Sequence, residues 1–184
     1  VLIAKLGTAP ASPAALPQAV PVPVAPAQAP SVAAAPRAGE VFKDCDACPE
    51  MVVIPAGNFT MGSSPAEQAL AKAAGVAEGP LSRENPRHTV RVRSFAAGRY
   101  AVTKGEFAAF VRARSYQNEA ERGDGCFGWT GSKFEKSTSF NWRNVGFAQG
   151  DDHPVVCVSW NDAQEYAKWV SQQSGKSYRL LTEA

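Results

Sequence analysis

Nothing in the chain approaches the roughly 18 consecutive apolar residues of a membrane-spanning helix, so no such span lies in the segment shown. Histidine is nearly missing, with His88 and His153 the only two. An iron site of two histidines and a carboxylate would have to use both, and each stands at the edge of a strand pattern, where a structural hydrogen bond is the commoner role. A cation site at Asp151-Asp152 beside His153 competes with simple turn solvation. A surplus of charge is missing as well. The formal +2 is carried by Lys5 and Arg37, which leaves residues 40–184 with 17 basic and 17 acidic side chains. Nucleic-acid-binding domains ordinarily carry a basic excess, so that class loses its main support. The local run of Arg83, Arg87, Arg91, Arg93, Arg99 and Lys104 reads as the solvated face of a strand. No Ser/His/Asp order, phosphate-cradling glycine loop or pair of catalytic carboxylates stands out.

Residues 1–39 have no aromatic side chain, and they hold 8 of the 14 prolines. Such a stretch cannot offset its ordering entropy, and it reads as a Pro/Ala-rich disordered linker. Alternation as in Val20-Pro-Val-Pro-Val-Ala-Pro favours an extended polyproline-type chain. Val1-Leu-Ile-Ala-Lys-Leu has no initiating Met and is too short for a signal-peptide core, so it reads as the remnant of a targeting segment or as linker after an upstream domain.

What is present begins near Glu40, and residues 40–184 read as the folded part. Met51-Val-Val-Ile54 and Phe59-Thr-Met61, separated by Pro55-Ala-Gly57, predict a hairpin-like opening. Pro65 suits the first turn of a helix over 65–76. His88 to Phe95 alternates with period two, placing Val90 and Val92 on one face and Arg91 and Arg93 on the other. Thr103-Lys-Gly-Glu106 and Ser159-Trp-Asn-Asp162 have the spacing of capping boxes. Phe107, Phe110 and Val111 follow the first box on one stripe, and Ala163, Tyr166, Ala167 and Val170 follow the second. Gly175 stops that helix, and Tyr178-Arg-Leu-Leu181 reads as a short strand. Between the helices, residues 115–152 show no sustained period and read as a long loop that is functional or cross-linked. Trp160 and Trp169 are expected in the core. Trp129, Phe134 and Trp142 pack as core or line a peptide or sugar groove.

The four cysteines, Cys45, Cys48, Cys126 and Cys157, allow three pairings if all are bridged. A redox pair at Cys45-Asp-Ala-Cys48 conflicts with the strand that follows Pro49. A four-cysteine zinc site would need two lone cysteines to converge on the pair. The favoured reading is a disulfide from Cys126 to Cys157 that staples the long loop, with Cys45 and Cys48 a candidate second pair and buried free thiols the alternative. Disulfides would suit an oxidising compartment, secreted or periplasmic.

Several motifs in fixed order resemble the sulfatase-modifying-factor family, whose founding activity is the formylglycine-generating enzyme. They are Pro49-Glu-Met-Val-Val-Ile-Pro-Ala-Gly-Asn-Phe-Thr-Met-Gly62, Glu84-Asn-Pro-Arg-His-Thr-Val90, Tyr100-Ala-Val-Thr103, His153-Pro-Val-Val156, Val158-Ser-Trp-Asn-Asp-Ala163 and Tyr178-Arg-Leu-Leu-Thr-Glu-Ala184. The resemblance implies an α+β, loop-rich fold, distantly C-type-lectin-like, of which the chain is the N-terminal part, cut before a second capped helix. It also implies oxygen-dependent conversion of a cysteine in a sulfatase polypeptide to formylglycine. The reactive cysteine pair, copper and calcium of the complete domain are expected beyond Ala184, so no catalytic, cofactor-binding or metal residue is assigned on this sequence. The fragment alone is expected to be inactive and to fold poorly. A lectin-like binding or scaffold module is the alternative, and an iron-dependent sulfoxide synthase a further one.

Overall fold

The computed structural model describes residues 2–6 and 37–184. In chain order its elements are β1 (Ile3–Leu6), β2 (Val41–Phe42), β3 (Met51–Ile54), β4 (Gly57–Met61), α1 (Pro65–Ala73), α2 (Glu78–Ser82), β5 (His88–Val92), β6 (Phe95–Gly98), α3 (Lys104–Arg114), α4 (Glu119–Arg122), β7 (Cys126–Trp129), β8 (Phe134–Ser137), α5 (Trp160–Ser174) and β9 (Tyr178–Leu180). Five strands form one antiparallel sheet in the order β2-β3-β6-β1-β9. Two further pairs, β4 with β5 and β7 with β8, stand apart from it. The result is a mixed α+β fold with much irregular chain.

Both expected capping boxes form. Thr103 takes the Glu106 amide at 3.2 Å while Glu106 accepts from the Thr103 amide at 2.9 Å, and Ser159 and Asp162 do the same for α5. These boxes satisfy amides that a helix start otherwise leaves without partners. Gly175 closes α5 with φ of 65°, a left-handed conformation that glycine adopts without penalty. The apolar stripes point inward. Phe107, Phe110 and Val111 of α3 and Tyr166, Trp169 and Val170 of α5 share a core with Ile3, Met51 and Tyr178 of the sheet. Its centre is aromatic, with Phe107 packed edge-on to Phe110 at 5.4 Å and to Trp142 at 5.3 Å.

Four expectations need correction. Residues 3–6 are not linker: Ile3 and Ala4 are each 1% exposed, and β1 sits between β6 and β9. Residues 7–36, most of that proposed linker, lie outside the described residues. The segments 51–54 and 59–61 do not form a hairpin, because β3 already pairs with β2 and β6 while β4 turns to pair with β5. Part of 115–152 is regular, holding α4 and the β7–β8 hairpin. That hairpin rests on Phe140 through Gly128, where a Cβ would come within 2.4 Å of the ring. Trp160 is largely exposed, whereas Trp169 and Trp142 are core.

Candidate functional site

A groove of about 780 Å³ opens between the β4–β5 pair and the chain after β9. Phe59, Val90, Val92, Phe95 and Leu181 give it an apolar floor, and Arg91, Arg93 and Arg179 stand along it. The alternation of β5 explains this arrangement, since Val90 and Val92 are half-buried while Arg91 is exposed. Among the described residues no carboxylate lies within ion-pair distance of these three arginines. The hydroxyls in the groove are engaged: Ser94 donates to the Ile54 carbonyl and Thr182 to the Ala184 carbonyl. With no thiol, imidazole or free hydroxyl in its lining, the groove can bind and orient an extended, partly apolar and acidic chain but offers no nucleophile.

A second cavity, of about 510 Å³, lies between α1 and the 83–88 segment. It is lined by Ser63, whose buried Oγ has no partner among the described residues. His88 lines it too, its Nδ1 placed 2.7 Å from the Pro86 carbonyl and therefore carrying the proton. His153 accepts the Gly150 amide at Nδ1, 3.3 Å away. Both histidines make local structural bonds. Asp151 and Asp152 are exposed in a turn.

The cysteines form two disulfides, Cys45–Cys48 and Cys126–Cys157. The second ties β7 to the segment that leads into α5, and Cys157 there adopts φ of 58°. Buried Asn118 donates to the Cys157 carbonyl at 2.7 Å and fixes that turn. No thiolate is left to ligate a metal, and among the described residues no group of three or more His, Cys, Asp or Glu side chains is placed to hold one. These donors do not fit a copper or calcium centre. On the outer face of the hairpin, Phe127 and Phe134 are 67% and 63% exposed, and Trp129 packs on Phe134 at 5.3 Å between ring centres.

Two polar clusters were not anticipated from the sequence. Asp162, fully buried, accepts from the Ser159 amide, the Tyr116 hydroxyl and the Glu119 amide at 2.8, 2.8 and 3.1 Å. Burial first and this bond second push the Tyr116 hydroxyl up to about 12. Asp44 accepts from Lys5 and from the Tyr178 hydroxyl, and burial with that bond pushes Tyr178 well above the usual tyrosine range. Only the position of Asp162 in a capping box signals the first; the second joins residues too far apart in sequence to leave a pattern.

Comparison with known proteins bears on what such a scaffold does. The model of the sulfatase-modifying factor enzyme 1-like domain matches residues 37–184. The formylglycine-generating enzyme of Streptomyces coelicolor is 33% identical over 183 residues, covering 85% of this chain and 51% of that protein. The inactive C-alpha-formylglycine-generating enzyme 2 of Mus musculus is 30% identical over 162 residues, 73% of this chain and 45% of its own length. Among solved structures, PvdO from Pseudomonas aeruginosa superposes with a TM-score of 0.61 at 37% identity, over 81% of this chain and 49% of that one. The chain thus spans about half the length of the relatives it matches. By its motifs, its fold and these matches, the chain belongs to the sulfatase-modifying factor enzyme 1-like family.

Proposed function

We propose that this chain is the scaffold-forming part of a protein that converts a cysteine of a sulfatase-like polypeptide to formylglycine with oxygen. The observation that carries this reading is the 33% identity over 85% of the chain to a formylglycine-generating enzyme. The role of these residues is to bind and position. The arginine-lined groove suits an extended substrate segment. Reactive thiols, copper and calcium would have to come from residues other than those described here, since all four cysteines are bridged. Two disulfides favour a secreted or periplasmic protein. The test is incubation of the complete protein containing this chain with a cysteine-bearing sulfatase peptide under oxygen. Mass spectrometry should show CH2SH replaced by CHO, and the product should react with a hydrazide. An unchanged peptide in the presence of copper and thiol reductant would count against the reading.

A second reading, a non-catalytic binding module, is favoured by the exposed Phe127 and Phe134 face. It would show as glycan or peptide binding that F127A/F134A abolishes and that persists without cysteine oxidation.

A further inference from the structure

Strand β1 is four residues long yet lies inside the central sheet, with Lys5 paired to Ala96 on one side and to Tyr178 on the other. One side-chain polar tether holds it among the described residues. Lys5 Nζ donates to both oxygens of Asp44 at 2.9 and 3.0 Å, and the Tyr178 hydroxyl donates to the same carboxylate. Asp44 immediately precedes Cys45, and the Cys45–Cys48 disulfide closes the turn, whose Cys48 amide donates to the Cys45 carbonyl at 3.0 Å. Cys48 is 1% exposed and part of the core, so the bond pins the Asp44 turn to the interior. On the other side it is reachable: Cys45 is half-buried and its neighbours Asp46 and Ala47 are exposed. The two-residue strand β2 gives the turn little other support.

We propose that the Cys45–Cys48 disulfide is a thiol-responsive latch on β1, opened by a dithiol reductant, small or protein-borne. One thiolate of the reductant attacks Cys45 Sγ and forms a mixed disulfide, and Cys48 leaves as a thiolate that takes up a proton. The second sulfur of the reductant then displaces Cys45, which is protonated in turn. Two electrons and two protons pass to the protein, two thiols replace its disulfide, and the reductant becomes a disulfide. Opening the turn frees Asp44 from its fixed place opposite Lys5 and Tyr178, and β1 loses the tether. The other disulfide ties β7, which shares no sheet with β1, so the two effects are separable.

Hydrogen exchange followed by mass spectrometry on the whole chain tests this. In C45S/C48S the amides of β1 and of the facing β9 should exchange about tenfold faster than in the oxidised protein, with the β7–β8 hairpin unchanged. D44N should reproduce that change, and in a C126S/C157S background it should no longer respond to dithiothreitol. Unaltered β1 protection in C45S/C48S overturns the proposal, as does uniform acceleration across the chain, which would make the bond a general staple. If C45S/C48S does not fold, D44N alone decides, since it retains both disulfides; full β1 protection in it overturns the proposal.

Discussion

Asn118 shows how much one buried side chain holds. Its Oδ1 accepts the Glu121 amide at 3.0 Å as the cap of α4, and its Nδ2 donates to the Cys157 carbonyl at 2.7 Å. Asn118→Ala leaves both groups without partners, and the expected cost is about 2–3 kcal/mol, read from the urea midpoint. Asn118→Asp keeps the cap acceptor but sets a carboxylate against a carbonyl, and it should lose a comparable amount. Tyr116 gives a second test at this scale. Its folded pKa, about 12, lies above the ordinary value near 10, so its contribution is complete below about pH 10 and is lost as pH climbs towards 12. Denaturation midpoints should fall across that window, and Tyr116→Phe should flatten part of the fall, with Tyr178 and Tyr166, both also raised, accounting for the rest. The sequence pattern shows that Asp162 caps a helix, because that bond spans three residues. That it also receives the Tyr116 hydroxyl, 46 residues away, depends on tertiary packing and leaves no periodic trace.

At the scale of elements, the Cys126–Cys157 bond closes a loop with a sequence separation of 31. By the chain-entropy argument C126S/C157S should lower stability by about 3–4 kcal/mol, measured by chemical denaturation. The loss should concentrate in the β7–β8 hairpin, whose exchange protection should fall further than that of α5. Helices α3 and α5 were legible because their signals are local: a cap, a stripe and a stop. Phe107, Phe110 and Val111 are all buried as their spacing requires. The β7–β8 hairpin was not legible. Its strands have four residues each, too few for a period to show, and Gly128 is there to admit the Phe140 ring. Strand β1 was missed for another reason. Its partners, Phe95 to Ala97 and Tyr178 to Leu180, are far along the chain, and proline-rich sequence follows it.

For the whole molecule, the groove beside Val90, Val92 and Leu181 leaves apolar surface open next to arginines that have no carboxylate partner among the described residues. Patches of this kind promote association. The isolated chain should therefore scatter light increasingly with concentration, and Leu181→Glu should suppress this without lowering the melting midpoint, because Leu181 is already 37% exposed. The family and the α+β class were legible from ordered motifs. The candidate site was not, because its walls come from β5, β6 and the end of the chain and acquire meaning only together.

The position of β1 has a consequence for synthesis. Ile3 pairs with Leu180, so β1 must wait for the much later β9 before that side of the central sheet can close. At about 5–20 residues per second that interval is on the order of ten seconds or more, during which β1, already flanked by β6, presents an open edge that another chain could occupy. A sheet closed between segments so far apart in sequence raises contact order, and it gives chaperones a long opportunity to act.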